Sequence, residues 1–330
     1  MRAPRFWSNP PRSPGWQARA LAPLSWIWAA ATARRLAHGG RFRPGVPVIC
    51  VGNLTVGGTG KTPTTQELVE RLIARGRAAH VISRGHGGRL PGPLRVDERK
   101  HTAADVGDEP LLLAPFAPVW IGADRAASAR AAVAAGAEVL VMDDGFQNGD
   151  LAQDLAIVVV DAEYGFGNGR VLPAGPLREP VDAGMARAGL LLAIGPAPAR
   201  AAFATAWPEV ARSPRLEGRL ASLVTGMPWG GLRALAFAGI GRPEKFFATL
   251  RAEGADVVAT HAFDDHAAYD ARILARLLAE AKALGARLVT TEKDAARLPP
   301  DFRREVLTLP VRLRLEDAAP LDAALARLGL

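Results

Sequence analysis

Between residues 44 and 195, short runs of apolar residues alternate with segments in which apolar residues recur at helical spacing. Apolar runs without polar interruption predict strands buried on both faces, which is typical of a parallel sheet covered by helices. Helical patterns fall between several of the runs, as at residues 64–75 and 125–135. The predicted strands are residues 48–51, 80–83, 119–121, 139–142, 156–160 and 190–194.

The alternating pattern lapses around residues 208–228 and then resumes. Further strands are predicted at residues 235–238, 257–260, 288–291 and 306–311, with helices at 243–253, 270–284 and 318–328. We therefore predict an α/β protein in three parts. These are an N-terminal arm at residues 1–40, a larger parallel-sheet domain at 41–228 and a smaller α/β domain at 229–330.

The positive charge of the chain is concentrated at its N-terminus. Residues 1–66 hold nine Lys or Arg residues and no Asp or Glu, whereas the rest of the chain holds 32 basic and 33 acidic residues. A basic end of this kind suits anionic lipid headgroups or nucleic acid about equally on charge alone. The single cysteine, Cys50, cannot form an internal disulfide.

Hydrophobicity at the N-terminus favours lipid over nucleic acid. The fourteen uncharged residues between Arg19 and Arg34, ALAPLSWIWAAATA, include Trp26 and Trp28. As a helix they reach about 21 Å, short of the ~30 Å hydrocarbon core of a bilayer. Tryptophans flanked by arginines predict a helix that lies in the membrane interface. Two alternatives stay open, namely a signal peptide ending at residues 31–33 and a helix packed on the protein's own core.

A glycine-rich segment, GNLTVGGTGKTP, lies between the first predicted strand and a predicted helix. Glycines allow the backbone N–H groups of such a loop to turn toward phosphate oxygens, and the helix N-terminus adds partial positive charge. A lysine then reaches the β- and γ-phosphates while the next hydroxyl ligates Mg²⁺. Thr55 stands where the common pattern has glycine, and the alternative is a plain turn. The predicted nucleotide-binding residues are Asn53, Thr55, Gly57, Gly58, Thr59, Gly60, Lys61 and Thr62.

Two adjacent acids, Asp143 and Asp144, follow the predicted strand at residues 139–142. Carboxylates at the end of a buried strand form the second metal-binding element of phosphate-loop NTPases. A divalent ion offsets the desolvation of two neighbouring carboxylates. We therefore predict a site for ATP or GTP with Mg²⁺, and the alternative is a turn that tolerates Asp-Asp-Gly.

Three further segments carry residue types that phosphoryl transfer needs, which are a proton acceptor and cations. They are Asp108-Glu109 after a long polar loop, His266 before a helical pattern, and Arg178 in a loop rich in Pro and Gly. Taken singly, each has an ordinary structural alternative, such as a helix cap or a surface ion pair.

Seven segments in consistent order resemble the lipid A 4′-kinase family, the tetraacyldisaccharide 4′-kinases of Gram-negative bacteria. They read VGNLTVGGTGKTP, SRGHGG, VGDEP, DDGFQ, LPAGPLREP, FDDHAAY and TTEKDAARL. The resemblance implies transfer of the ATP γ-phosphate to the 4′-hydroxyl of a tetraacylated glucosamine disaccharide 1-phosphate at the cytoplasmic face of the inner membrane. The loop of this family begins Gly-Asn, as Gly52-Asn53 does here, so Thr55 is no defect.

The resemblance also implies roles for single residues. Asp108 and His266 are expected to activate the hydroxyl, with Lys61 at the phosphates and Arg178 facing the reacting phosphates or the substrate. The implied magnesium ligands and aligning residues are Thr62, Glu109, Asp143 and Asp144. Two departures stand where the family reads SRGYGR, because His86 replaces Tyr and Gly88 replaces Arg, with Arg89 one position later. The expected partners are the lipid substrate and the phospholipid surface, with no nucleic acid and no protein partner implied.

Two rival functions stay open on sequence alone. A GTPase switch would carry N-K-x-D after a strand, but Thr291-Glu292-Lys293-Asp294 places Lys and Asp side by side, so that match fails. A ligase acting on a soluble acid would need no membrane arm.

Overall fold

The computed structural model describes residues 3–39 and 41–330. Three residues of the predicted N-terminal arm, Met1, Arg2 and Gly40, lie outside the described residues. The strands in the described chain are β1 Val48–Gly52, β2 Ala79–Ser83, β3 Leu94–Arg95, β4 Val119–Ile121, β5 Val139–Asp143, β6 Leu155–Asp161, β7 Leu190–Ile194, β8 Arg215–Ser222, β9 Arg233–Ala238, β10 Asp256–Ala262, β11 Arg287–Thr291, β12 Val306–Leu309 and β13 Val311–Leu315.

Helices lie between most of these strands, as the sequence pattern predicts. The α-helices of the described residues are α1 Trp16–Ala20, α2 Ala22–Ala37, α3 Lys61–Ala74, α4 Ala103–Val106, α5 Asp108–Leu113, α6 Arg125–Ala134, α7 Val181–Met185, α8 Ala197–Ala206, α9 Pro243–Ala252, α10 Ala271–Ala283, α11 Glu292–Arg297, α12 Pro300–Arg303 and α13 Ala319–Ala326.

The larger sheet has nine strands in the order β13-β8-β7-β6-β1-β5-β2-β4-β3. The seven strands from β8 to β4 are parallel, and β13 and β3 are added antiparallel at the two edges. Successive side chains of β1 enter opposite layers, with Val48 and Cys50 in one core and Ile49 and Val51 in the other. This two-sided burial explains why the central strands read as uninterrupted apolar runs.

The smaller sheet has four parallel strands in the order β10-β9-β11-β12. Side chains of β9 alternate between its two cores. Ala236 packs on the face that includes Phe247 of α9, whereas Phe237 packs on the face that includes Leu277 of α10. Both sheets are thus covered by helices on two faces, which confirms the predicted α/β class with a parallel sheet and a smaller second unit.

The last twenty residues differ from the predicted domain division. The strand predicted at residues 306–311 is two strands separated by Pro310, and β13 pairs antiparallel with β8 in the larger sheet. Leu321 and Leu325 of α13 pack into the core of that sheet. The residues from β13 onward therefore lie with the larger sheet, and the small domain is inserted between β8 and β13.

Strand β8 was absent from the sequence prediction. Its residues alternate between buried Leu216 and exposed Arg215 and Arg219, so it contains no continuous apolar run. Because β8 lies next to the edge strand β13, one face of it is only partly covered, and its pattern resembles a loop in the sequence.

Helix α2 covers the segment predicted as an interfacial helix and extends it to residue 37. One side of α2 contacts the protein, since Ser25 and Thr32 are buried and Ala29 packs against a core. The other side is open, with Trp26 71% and Ile27 66% exposed. Among the described residues, no helix is both long and apolar enough to cross a membrane.

Candidate active site

The glycine-rich segment connects the central strand β1 to α3, which begins at Lys61. Gly57 and Gly60 adopt φ of 104° and 95°, in the region that favours glycine. A Cβ at Gly60 would lie 2.6 Å from the side chain of Ile194, whereas one at Gly57 or Gly58 would meet no atom within 4 Å. The loop therefore has open space beside its two adjacent glycines, at the positions where side chains would otherwise lie.

Side chains around the glycines hold the loop in shape. The buried Asn53 amide donates to the Thr59 hydroxyl at 3.2 Å, and Gln147 donates to the Asn53 carbonyl oxygen at 2.9 Å. Thr55 is 2% exposed and forms an isolated antiparallel bridge with Leu177. The residue that departs from the common pattern thus joins the phosphate loop to a second loop.

Asp143 is the last residue of β5, the strand beside β1. Thr65 of α3 donates to Asp143 Oδ1 at 2.9 Å, and only 1% of the residue is exposed. Burial, together with the negative charges of Glu109 and Asp144, raises the pKa of Asp143 to about 7. The carboxylate is therefore held in a position where its negative charge is poorly compensated by protein groups.

Asp144 follows with φ of 49° and faces two cations. Arg178 contacts its two oxygens at 2.8 and 3.2 Å, and Lys61 Nζ lies 3.7 Å from Oδ1. Burial alone would raise the pKa of Asp144, but Lys61 and Arg178 lower it below its ordinary value. The structure therefore brings the predicted residues Lys61, Asp144 and Arg178 into one charged cluster beside the phosphate loop.

Asp108 and His266 come from different domains. Asp108 begins α5 beside the large sheet, and His266 lies between β10 and α10 of the small domain, with φ of 57°. His266 Nδ1 is 3.1 Å from Asp108 Oδ2. Burial would raise the pKa of Asp108, but the hydrogen bond to His266 and the charge of Lys293 lower it below its ordinary value. The two residues form a carboxylate–imidazole dyad across the domain boundary.

Lys293 of α11 contacts both this dyad and a predicted metal ligand. Its Nζ lies 3.2 Å from Glu109 Oε1 and 3.2 Å from His266 Nε2. Burial would lower the pKa of the ammonium, but Glu109 and Asp108 raise it, so Lys293 is a donor. His266 Nε2 therefore accepts from Lys293, and Nδ1 carries the proton that is donated to Asp108.

Arg297 and Asp294 hold this part of α11 in place. Asp294 is fully buried and accepts from Tyr269 at 2.5 Å and from Gly239 N at 2.9 Å. Arg297 bonds Asp294 at 2.8 Å and places its Nε 3.4 Å from Asp108 Oδ2. The Asp294 carboxylate is thus bonded to groups of the protein itself, which agrees with the failed match to a guanine-binding motif.

Lys293 and Arg297 are site residues that the sequence pattern does not predict. A cation four residues from another on a short helix is an ordinary surface pattern, so the segment TTEKDAARL does not by itself indicate a site. Lys293 and Arg297 reach the site only in the folded chain, because α11 packs on α5 and so lies beside Asp108 and Glu109.

A second contact joins the domains at the other side of the phosphate loop. Asp161 at the end of β6 bonds Lys245 at 2.8 and 2.7 Å and Arg242 at 2.9 Å. A Cβ at Gly241 would lie 3.3 Å from the backbone nitrogen of Gly58. The small domain therefore approaches the phosphate loop closely enough to touch it.

Among the predicted magnesium ligands, Asp143 has a carboxylate that is incompletely hydrogen-bonded. Asp143 Oδ2 is buried and has no hydrogen-bond partner among the described residues, and buried carboxylate oxygens are normally paired or bound to metal. Thr62, second in α3, is partly buried. Within residues 3–39 and 41–330, no three His, Cys, Asp or Glu side chains already form a metal-binding group. Mg²⁺ commonly takes one or two carboxylates and completes its shell with phosphate and water, so these residues fit it.

The two departures in the SRGHGG segment have different outcomes. The His86 ring lies 6.1 Å from the His266 ring, centroid to centroid, in an edge-to-face arrangement. His86 is thus placed against the dyad. Arg89 instead bonds Asp105 at 2.8 Å from its Nε, so it is engaged outside the cluster around Asp144.

Known proteins are similar to this chain along almost all of its length. The family model described as tetraacyldisaccharide-1-P 4′-kinase matches residues 17–329. The tetraacyldisaccharide 4′-kinase of Dinoroseobacter shibae is 63% identical over 98% of this chain and 97% of its own length, and that of Jannaschia sp. is 57% identical over 98% of each.

A solved structure is similar over nearly the same extent. The crystal structure of LpxK from Aquifex aeolicus in complex with ATP has a TM-score of 0.73 and 26% identity, covering 94% of this chain and 99% of that one. With a family match along almost all of its length, the chain belongs to the tetraacyldisaccharide-1-P 4′-kinase family.

Proposed function

We propose that this protein transfers the γ-phosphoryl group of ATP to the 4′-hydroxyl of tetraacyldisaccharide 1-phosphate, which gives lipid IVA in lipid A biosynthesis. Family membership supports the reaction class. The observation that carries the proposal is the Asp108–His266 contact of 3.1 Å, since it adds a proton acceptor to a site with a phosphate loop. A switch GTPase has no need of such a dyad.

The nucleotide-binding part of the proposal uses the loop from Asn53 to Thr62. Backbone N–H groups of the loop and the N-terminus of α3 would bind phosphate oxygens, with Lys61 at the β- and γ-phosphates. Thr62 and Asp143 would hold Mg²⁺, with Glu109 and Asp144 beside them. When bound, the ion neutralises charge on the β- and γ-phosphates.

In the transfer step, the dyad receives a proton and two cations face the transferred group. The 4′-oxygen forms a bond to the γ-phosphorus while the bond from that phosphorus to the β–γ bridging oxygen breaks, and ADP leaves. The hydroxyl proton passes to the Asp108 carboxylate, because both ring nitrogens of His266 are bonded to Asp108 and Lys293. Lys61 and Arg178 face the charge that spreads over the transferred group. Both cations are already held by Asp144, so little reorganisation is needed.

The site is assembled from both domains. Asp108 and Glu109 belong to the large domain, whereas His266 and Lys293 belong to the small domain. The proton-accepting dyad is therefore complete only when the small domain lies against α5 of the large domain.

The membrane part of the proposal rests on α1 and α2. Their outward residues include Trp16, 74% exposed, and Trp26, 71% exposed, on a basic segment of the chain. Exposed tryptophans near arginines suit the interface of an anionic bilayer. We place the protein at the cytoplasmic face of the inner membrane, bound peripherally through this surface. The substrate lies there too, since its acyl chains make it costly to remove from the bilayer, at ~0.8 kcal/mol per CH₂.

Incubation with γ-labelled ATP, Mg²⁺ and the disaccharide 1-phosphate in mixed micelles tests the reaction. We expect label on the lipid, mapped to the 4′ position, and none when the acceptor lacks that hydroxyl. Water-soluble acids in place of the lipid serve as the control acceptors. Transfer to those acids, or tight GTP binding with no phosphorylated lipid, would overturn the proposal.

A vesicle experiment tests the membrane surface separately. Replacing Trp26 and Ile27 together by Ser should release the protein from phosphatidylethanolamine–phosphatidylglycerol vesicles. The matched control is Ile73→Ser, because Ile73 is 45% exposed and lies on α3. Equal sedimentation of both variants with vesicles would contradict the assignment.

A further inference from the structure

The loop that carries Arg178 lies between the N-terminal helix and the phosphate loop. We name residues 171–178 the arginine loop. On the helix side, the Ser25 hydroxyl donates to the Val171 carbonyl oxygen at 2.7 Å and accepts from Ala174 N at 3.1 Å. Further along α2, Trp28 Nε1 donates to the carbonyl oxygen of Arg178 at 3.2 Å. Helix α2 thus bonds both ends of the arginine loop.

The other side of the arginine loop is bonded to the phosphate loop. Arg178 N donates to the Leu54 carbonyl oxygen at 2.7 Å, and Val56 N donates to that of Pro176 at 2.9 Å. Between these bonds lies the antiparallel bridge that joins Thr55 to Leu177. The two loops therefore form a short ladder, which constrains the phosphate loop just before its glycines.

The contacts of Ser25 with the arginine loop are buried. Ser25 is 6% exposed, and Leu54, Ala174 and Leu177 are essentially fully buried. Removing the Ser25 hydroxyl would leave the backbone N–H of Ala174 without its acceptor, whereas the Val171 carbonyl oxygen would keep its bond from Gly175 N at 3.1 Å. Ser25 therefore fixes the start of the arginine loop relative to α2.

Arg178 is held at three points. Its backbone nitrogen bonds the phosphate loop, its carbonyl oxygen bonds Trp28, and its guanidinium bonds Asp144 at 2.8 Å. The chain of contacts runs without interruption from α2 through Arg178 to the cluster of Asp144 and Lys61.

We infer that α2 is a positioning element of the kinase site, in which Ser25 and Trp28 set the arginine loop and thereby the phosphate loop and Arg178. The inference rests on the proposed function for the identity of the reaction. Residues 25–28 have two roles, because Ser25 and Trp28 bond the arginine loop while Trp26 and Ile27 face outward. The helix that meets the membrane is therefore also part of the scaffold of the nucleotide site.

This role has a consequence that simple anchoring does not. Weakening the contacts of α2 with the arginine loop should impair nucleotide binding and turnover even in detergent micelles, where activity does not require the protein to bind a bilayer. Truncation of the arm would damage the site as well as the anchor, so it cannot separate the two roles.

The test uses two substitutions in the full-length protein and one matched control. Ser25→Ala removes the buried hydroxyl, and Trp28→Phe keeps the ring while removing its N–H. Thr32→Ala is the control, since Thr32 is a buried hydroxyl residue of the same helix and bonds no part of the arginine loop. The measurements are the Kd of MgATP by calorimetry, kcat in mixed micelles, sedimentation with phosphatidylglycerol vesicles and thermal unfolding.

We expect Ser25→Ala to weaken MgATP binding and to lower kcat, each by about tenfold, and Trp28→Phe by about threefold. Vesicle binding should stay at the wild-type level for both variants. Unchanged Kd and kcat in both variants would overturn the inference, as would equal losses in Thr32→Ala.

The outcome is separable from the proposed reaction. A wild-type protein that binds MgATP but phosphorylates no disaccharide lipid refutes the proposed function, and a weakened Kd in Ser25→Ala would still support the positioning role. Should Ser25→Ala fail to fold, Trp28→Phe decides, because Trp28 is 45% exposed and tolerates loss of one N–H.

Discussion

Asp143 and Asp144 are adjacent in the chain, yet the pKa of the first is raised to about 7 and that of the second is lowered. The difference arises from their partners. Asp143 accepts from the neutral hydroxyl of Thr65, whereas Asp144 faces the cations of Lys61 and Arg178. One carboxylate is thus compensated by the protein and the other is suited to an added cation.

The raised pKa of Asp143 predicts a stability that falls as pH rises. Its carboxyl binds a proton more tightly in the folded chain than at its ordinary pKa of 3.8. Without Mg²⁺ and nucleotide, the stabilising contribution is complete below about pH 4 and is lost as pH passes through about 7. Asp143→Asn removes this loss, so it should increase the free energy of unfolding at pH 8 by roughly 1–4 kcal/mol.

Thermal unfolding in chelator at pH 4 and pH 8 measures the effect, and kcat should fall about a hundredfold or more in the same variant. Asp144→Asn is the control, since the lowered pKa of Asp144 gives the opposite sign. Equal destabilisation by both variants at pH 8 would contradict the assignment of charge.

The dyad predicts non-additive losses of activity. Asp108→Asn and His266→Ala should each lower kcat by about 10²–10⁴, because each removes part of one proton-accepting unit. The double variant should lose little more than either single one. Steady-state kinetics in mixed micelles measure this, and a product of the two single effects would show that the residues act independently.

Lys61 should be essential for transfer but not for folding. Lys61→Ala removes the cation at the start of α3, which lies 3.7 Å from Asp144, and we expect kcat to fall by at least about 10³ with an unchanged circular dichroism spectrum. Arg71→Ala is the control, because Arg71 lies on the same helix and bonds Glu67 and Asp322 instead. Retained turnover in Lys61→Ala would refute the phosphate-loop assignment.

Lys293 should affect catalysis although it was not predicted as a site residue. Lys293→Met leaves Glu109 without its cation and His266 Nε2 without its donor, so kcat should fall about 10- to 100-fold. Lys282→Met, on the exposed end of α10, is the matched control. A loss confined to KM would indicate that Lys293 acts on binding alone.

The local features of this fold could be predicted, because each depends on neighbouring residues. The strand before Gly52, the helix after Gly60 and the acids after β5 all follow from apolar runs and glycine placement. The dyad could be named only through resemblance, since Asp108 and His266 are 158 residues apart and meet through packing of two domains.

Other features gave no local signal. Strand β8 has a mixed pattern because it lies near an edge, and β12 and β13 read as one strand although Pro310 sends them to different sheets. The contacts of Ser25 and Trp28 depend on where a distant loop passes, and an amphipathic pattern shows only which residues are apolar.

The inserted position of the small domain makes it a cassette. Ser222 pairs with Val311, so the chain leaves the large domain and returns to it at neighbouring points of one ladder, about 5 Å apart. A single short linker between these residues could replace everything in between. His266 lies inside this removable piece, whereas Asp108 and the nucleotide loop lie outside it. Exchanging the piece would therefore change one member of the dyad and leave the nucleotide loop in place.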